Sequence, residues 1–165
     1  IFKLINQGII MFKKILIHTI AIMTLSSAFG QDKNTIYSEA GGVGLLYSFN
    51  YERNITDKIT ARIGWSTVPL TAEDGGEAVN VNSIPIMANY LIGSGNHKLA
   101  ISGGVLQVSA STEIHDEDYQ LGTGMLPTAG VGYRYQRAAG GFFFNANVGI
   151  TPIAGWPGFG VGWTF

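Results

Sequence analysis

The chain has 165 residues, and its 23 glycines and 12% aromatic residues are typical of a β-protein rather than of a helical enzyme. The length allows one ordinary domain, and the absence of cysteine excludes both a disulfide framework and a lipid-attachment cysteine. The formal net charge is only −1 and the sequence has no basic run, so nucleic acid is not an expected partner.

A secretory signal peptide is the first element that the sequence predicts. Met11 is soon followed by two lysines, an apolar run as far as Leu25 and then small residues, which is the order of a charged start, an apolar middle and a cleavage site. A single transmembrane anchor is less favoured, because a spanning helix needs about 20 apolar residues. We expect residues 1–10 to be an upstream extension, residues 11–30 the signal peptide and residues 31–165 the exported domain.

The exported domain alternates between two kinds of side chain. Apolar residues occupy every second position, and this period of two over segments of about ten residues is the signature of strands in a membrane barrel. Leu46 and Phe143 are exceptions to the alternation. The seven segments lie at residues 43–52, 59–66, 83–92, 99–105, 130–136, 142–151 and 158–165.

The second face of these strands decides between two architectures. A soluble β-sandwich would carry charged residues and threonine on its wet face, whereas this face is mostly Gly, Ser, Ala and Asn. Such small residues fit the crowded interior of a narrow barrel. The sequence therefore predicts an all-β, antiparallel, up-and-down transmembrane barrel, with the sandwich as the alternative.

Connection lengths also alternate along the chain. Bacterial outer-membrane barrels have short periplasmic turns and longer external loops, so the long, acidic connections are expected to face outward and the carboxyl terminus to lie on the periplasmic side. The short connections are residues 56–58, 93–97 and 138–141. The external ones are residues 70–82, 111–125 and the shorter 152–157.

Seven strands are one too few for a closed bacterial barrel, which normally has an even number. The simplest eighth strand is residues 35–40, followed by a glycine bend that leads into Val43. Alternatively, this segment extends the strand at Val43 through a glycine kink. We predict eight strands.

The closing string GFGVGWTF, which ends at Phe165, resembles the carboxyl-terminal strand of outer-membrane barrel proteins. The whole pattern is similar to the OmpX and OmpA transmembrane-domain families. The strings GLLYSFNYER, VGYRYQ and GGFFFNANVGITP resemble those of small outer-membrane barrels of the Bacteroidota. The resemblance implies a Gram-negative outer membrane, contact with its lipid and lipopolysaccharide, and a barrel-assembly machinery that recognises Phe165. It implies no activity.

Three charged residues fall on the predicted lumen face: Glu52, Arg62 and Arg134. A three-residue hairpin at 56–58 would place Glu52 directly opposite Arg62, and since a buried charge needs a partner, we expect an internal ion pair. We interpret this network as a structural plug, because eight-stranded barrels are just wide enough to be filled by side chains. A conducting pore is the alternative. Further members of the polar network would be Asn89, Gln136, Asn145 and Asn147.

The acidic run at residues 113–118 has the oxygen ligands of a calcium or magnesium site that could bridge to lipopolysaccharide. It lacks the spaced Asp, glycine and closing Glu of a calcium loop, so a solvated external loop is the preferred interpretation. We expect no metal and no cofactor.

An enzyme is not predicted. Lipid A-modifying barrels would need a His beside a Ser on the outer rim, and the one conceivable pair is His115 with Ser109 or Ser111, since His97 falls in a predicted periplasmic turn. The leading hypothesis is a non-enzymatic outer-membrane barrel with a structural or surface-interaction role and an external ligand that the sequence does not identify. A narrow channel for ions or small solutes and a lipid A-modifying enzyme are the alternatives.

Overall fold

The structure is a computed structural model that describes residues 34–70, 79–114 and 117–165, leaving aside the side chains of residues 113–120. The expected upstream extension and signal peptide lie outside these residues. Within them, no helix is long and apolar enough to cross a membrane.

Eight antiparallel strands form a closed barrel in which each strand pairs with the next along the chain and β1 pairs with β8. This confirms the predicted fold class and excludes the two-sheet sandwich. The strands are β1 Asn34–Gly41, β2 Tyr47–Asn54, β3 Ile59–Leu70, β4 Val79–Ile92, β5 His97–Ile114, β6 Glu117–Gln136, β7 Gly141–Ile150 and β8 Gly155–Thr164.

The predicted extra strand at residues 35–40 is confirmed as β1, but the next strand begins later than expected. Between β1 and β2, Gly42–Gly44 form a short 3-10 turn that is buried at one mouth of the barrel. In the predicted segment 43–52, alternation puts Val43 on the same apolar face as Tyr47 and Phe49, but its side chain points inward with 4% of its surface exposed. The turn depends on Gly41, which has φ +71° and where a Cβ would lie 2.1 Å from the Pro157 carbonyl oxygen.

The alternation predicted which side chains face outward. Large apolar residues ring the outside of the barrel, with one or more on every strand. The two exceptions have different causes: Leu46 lies in the β1–β2 connection and is 65% exposed, whereas Phe143 belongs to the interior and is fully buried. The outer belt includes Ile36, Phe49, Ile63, Trp65, Ile86, Tyr90, Ile101, Val131, Phe142, Val148, Phe159 and Trp163.

The wall of the barrel is uneven in height. Strands β3 to β6 have 12, 14, 18 and 20 residues, whereas β1, β2, β7 and β8 have 8, 8, 10 and 10. The prediction of a long loop at 111–125 was wrong, because β5 and β6 continue as a paired hairpin with a register shift after Ala110. Glycine and polar residues on both faces of this hairpin hide the period of two. The loop predicted at 152–157 is also shorter, since β8 begins at Gly155.

Candidate functional site

Strand register brings the predicted interior residues together. Glu52 pairs with Arg62 across β2 and β3, and Arg134 pairs with Asn145 across β6 and β7, as partners in the ladder. Glu52, Arg62, Asn89, Arg134 and Gln136 are all at least 93% buried, and Asn145 and Asn147 are half-buried.

The ion pairs differ from the expected pairing of Glu52 with Arg62. Arg62 Nη2 donates to Glu39 Oε2, and Arg134 Nη1 donates to Glu52 Oε1. Glu52 and Arg62 are neighbours in the ladder, but an arginine side chain is long enough to reach past the adjacent strand. Each pair therefore joins strands that are not hydrogen-bonded to each other, which links the barrel wall across its interior.

The Arg62 pair is surrounded by amide side chains. Arg62 Nε donates to Asn50 Oδ1 at 2.9 Å, and Glu39 Oε1 accepts from Asn147 Nδ2 at 2.5 Å and from Asn145 Nδ2 at 3.5 Å. Asn50 Nδ2 in turn donates to Ser48 Oγ at 2.9 Å. Several hydrogen bonds thus offset the cost of removing these two charges from water.

The Arg134 pair is connected to the seam where the barrel closes. Arg134 Nε donates to Gln136 Oε1 at 3.2 Å, and Gln136 Nε2 donates at 3.2 Å to both Thr35 Oγ1 on β1 and Thr164 Oγ1 on β8. The two threonine hydroxyls are themselves 2.9 Å apart. This cluster ties β6 to the first and last strands.

Two aromatic rings lie between the ion pairs. The Tyr37 and Phe143 ring centroids are 4.8 Å apart. The Arg62 guanidinium lies 5.3 Å from the Tyr37 ring centroid, and the Arg134 guanidinium lies 4.8 Å from that of Phe143, so both contacts fall within cation–π range. The two ion pairs and two rings form one packed assembly.

Little space remains within this assembly. The cavity between its side chains has a volume of about 30 Å³, which is room for about two water molecules. Asn89 lines the cavity and donates to Thr60 Oγ1 at 2.9 Å. Toward the mouth that carries the 3-10 turn, an apolar layer of Val43, Met87 and Leu106 covers the polar assembly. The interior is filled by its own side chains.

Sequence reasoning missed Glu39, Tyr37 and Phe143. Glu39 and Tyr37 lie on β1, which is too short for its alternation to be recognised alone. Both lie an even number of residues from Thr35 and are buried on the same face of the strand. Phe143 was noted as an exception on the small-residue face. A large aromatic ring at a position that faces the lumen indicates that the interior is packed rather than open.

The other candidate residues do not form a site within the described part of the chain. His97 begins β5 and its Nδ1 lies 2.6 Å from the Tyr133 hydroxyl, whereas Ser109 and Ser111 lie more than ten residues further along the same strand, roughly 40 Å away. The hypothetical partner His115 lies outside the described residues. No cluster that could hold a metal occurs among the side chains described, and those of residues 113–118 are not among them.

Phe165 lies directly after β8, at the barrel seam. Its N–H donates to the Asn34 carbonyl at 2.8 Å, and its carbonyl accepts from the Asn34 N–H at 2.8 Å, so the last residue continues the ladder that closes the barrel. The side chain is 59% exposed on the outer face.

A closed eight-stranded barrel with an apolar outside and a polar, filled inside is the architecture of small outer-membrane barrel proteins. Solved structures of this class are similar to the chain. The N-terminal β-barrel domain of Pseudomonas aeruginosa OprF matches with a TM-score of 0.59 and 18% identity over 81% of this chain and 96% of that one. Ail, the attachment invasion locus protein of Yersinia pestis, solved with the heparin analogue sucrose octasulfate, matches with a TM-score of 0.53 and 9% identity over the same shares.

These matches confirm the resemblance in fold to small outer-membrane barrels. No protein-family model matches the chain, and no curated protein matches it. At such low identities the likeness extends to the fold alone.

Proposed function

We propose that this protein is a non-enzymatic outer-membrane barrel that acts through its outer surface rather than through its lumen. The observation that carries the proposal is the filled interior, in which two ion pairs and two aromatic rings leave a cavity of only about 30 Å³. A barrel that is closed inside and apolar outside serves as a membrane anchor for the parts that project from it.

The proposed location is the outer membrane, reached through export by the signal peptide at residues 11–30. The ring of exposed apolar side chains supports contact with lipid and lipopolysaccharide. The terminal Phe165 and the alternation before it support recognition by the barrel-assembly machinery. The short connections after β2, β4 and β6 support a periplasmic position for that end, and so favour an external position for the tall β5–β6 hairpin.

Charge supports a particular kind of surface partner. Seven of the 11 acidic residues fall within residues 73–77 and 113–118, and residues 63–97 and 99–133 contain no Lys or Arg. A polyanion such as the heparin analogue bound by Ail would meet repulsion at such a surface. We infer that a surface partner is cationic or uncharged.

The two alternatives have less support. A channel for ions or small solutes would need a continuous path, and the ion pairs and the apolar layer above them occupy the interior. A lipid A-modifying enzyme would need a His beside a Ser on the outer rim. His97 lies at the opposite end of β5 from Ser109 and Ser111, and the candidate His115 lies outside the described residues, so no described contact supports this alternative.

Heat-modifiability tests the proposed location. Envelope fractions would be run on detergent gels with and without boiling and probed for this protein. We expect it in the outer-membrane fraction, with a mobility that changes on boiling. Recovery from the soluble periplasm with identical mobility in both lanes would contradict the proposal.

Conductance in planar bilayers separates the filled barrel from the channel. We expect the purified protein to insert without discrete current steps. Stable steps whose ion selectivity changes in Arg62→Ala or Arg134→Ala would instead favour the channel.

A further inference from the structure

The described lumen contains one cation more than it contains carboxylates. Its two ion pairs use two arginines and two glutamates. Lys98 is a third cation at the end of the barrel that carries the short turns after β2, β4 and β6, which we call the short-turn end. Its neighbour Leu99 is 45% exposed on the outside and its ladder partner is the buried Arg134, so strand alternation places Lys98 on the inner face of β5.

Lys98 has no partner within the part of the chain that the structure describes. It is half-buried, and its side chain makes no ion pair and no hydrogen bond there. The acidic connections belong to the opposite end of the barrel: Glu113 lies at the other end of β5, roughly 50 Å away. At the short-turn end, the exposed turn after β2 has one acid and one base, and so does the pair Asp32 and Lys33, which lies outside the described residues.

Arg134 has an unpartnered donor beside Lys98. Its Nε and Nη1 donate to Gln136 and Glu52, but its Nη2 is buried without a hydrogen-bond partner among the described residues. Arg134 is 2% exposed, and a donor of a charged group left unsatisfied at such depth is costly unless something accepts from it. As cross-strand partners, Arg134 and Lys98 have Cβ atoms about 4.5–5.5 Å apart. Two cationic donors thus lie side by side on the inner face.

The chemistry of these two groups selects an anion. Ammonium and guanidinium groups are donors without an acceptor, so an occupant that contacts both must accept hydrogen bonds. The carboxylates of Glu39 and Glu52 are each already held by an arginine. Water would accept from Nη2 of Arg134 but would leave the third positive charge unbalanced. An anion satisfies the free donor and balances the charge together.

The packing around Arg134 restricts the anion to a small one. Arg134 lines the cavity of about 30 Å³ inside the packed assembly, which is room for about two water molecules. On its other side, the hydrogen bonds of Gln136 to Thr35 and Thr164 close the seam of the barrel. A phosphate or an organic carboxylate is too large for this space, whereas a single halide ion is comparable in size to a water molecule.

We propose that the lumen binds one chloride ion at its short-turn end, between the Lys98 ammonium and Nη2 of Arg134. Both groups donate to the ion, and the two ion pairs of the interior stay intact. The site is a dead end for transport, because those ion pairs and the apolar layer of Val43, Met87 and Leu106 fill the lumen beyond it. The proposal rests on the fold and on the interior contacts, and it does not depend on the proposed membrane location.

Chloride NMR tests the proposal. The protein in phosphatidylcholine nanodiscs would be titrated with sodium chloride while the chloride line width is measured, since an ion that exchanges onto a protein relaxes faster than one in solution. Sodium gluconate, whose anion is too large for the site, keeps the ionic strength constant so that general screening does not change. We expect a saturable excess line width. A gel-mobility assay on the same sample establishes that the barrel is folded.

Lys98→Gln and Lys58→Gln are matched variants. Each removes one ammonium group at the short-turn end, but Lys58 lies in the exposed turn after β2, whereas Lys98 faces the lumen. We expect Lys98→Gln to weaken chloride binding about tenfold or more, because a contact between partly desolvated charges is lost. Lys58→Gln should leave it unchanged. Arg134→Lys, which keeps the positive charge but removes Nη2, should weaken binding as well in samples that pass the gel-mobility assay.

Stability gives a second readout in the same variants. An ion bound only by the folded state raises the urea midpoint, so chloride in place of gluconate should raise it in the wild-type protein and in Lys58→Gln but not in Lys98→Gln. An excess line width that is equal in both glutamine variants overturns the proposal, because it reports adventitious surface binding. A folded wild-type protein without saturable broadening overturns it as well, while leaving the outer-membrane proposal, which heat-modifiability tests, intact.

Discussion

At the scale of single residues, the interior depends on charged side chains that are buried away from solvent. Glu39 is 1% exposed and accepts from Arg62 on β3 and from Asn145 and Asn147 on β7, so this β1 carboxylate links three strands. Removing one partner of a buried ion pair leaves the other charge uncompensated, which is far more costly than removing both.

We therefore expect Glu39→Gln to lower the free energy of unfolding by about 3–5 kcal/mol. The measurement is urea unfolding in lipid vesicles, followed by the mobility of the folded band. Asp57→Asn, in the exposed turn after β2, is the control and should leave the midpoint unchanged. The double variant Glu39→Met with Arg62→Met should recover much of the loss, and failure of Glu39→Gln to destabilise would show that the pair is not important for folding.

At the scale of elements, the seam between β8 and β1 requires glycine. Gly162 pairs with Tyr37, and a Cβ there would lie 2.1 Å from the Ile36 carbonyl oxygen and 2.4 Å from Tyr37 Cβ. The bare inner face of β8 is thus the space into which the Tyr37 ring fits.

Gly162→Ala should destabilise the barrel by about 1–3 kcal/mol through overpacking at this seam. Unfolding in urea, with the folded band as readout, would measure it. Gly103→Ala, an outward position whose Cβ meets no atom within 4 Å, should change the midpoint little. Equal behaviour of the two variants would show that the seam relaxes without cost.

At the scale of the whole molecule, the barrel has two different ends. The tall β5–β6 hairpin lies at one end. The short turns, with Lys58 and Arg137, lie at the other end, together with Lys98 at the start of β5. A spanning barrel with this asymmetry should have a single orientation.

Because the chain contains no cysteine, introduced cysteines report that orientation directly. Thr123→Cys on the hairpin should react with a membrane-impermeant maleimide in intact cells. Ser94→Cys, in the turn between β4 and β5, should react only after the outer membrane is permeabilised. The reverse result would invert the proposed topology and put the β5–β6 hairpin on the periplasmic side.

The alternation of apolar residues with a period of two predicted the strands and their outward faces. The need for an even number of strands in a closed barrel then predicted β1. The signal is strong because every second side chain in a spanning strand meets the same apolar surroundings. The ladder partners Glu52 and Arg62 followed from hairpin length alone, since register between adjacent strands is a local property.

The inward turn at Val43, the height of the β5–β6 hairpin and the partners of the two arginines required the tertiary structure. Glu39 and Arg62 are separated by a whole strand, and Glu52 and Arg134 are distant in the chain, so their contacts exist only after β1 meets β8 and the barrel closes. Local alternation describes what each strand presents to its two sides. Which side chains meet across the interior is decided by closure, because closure alone sets the width that long side chains must fill.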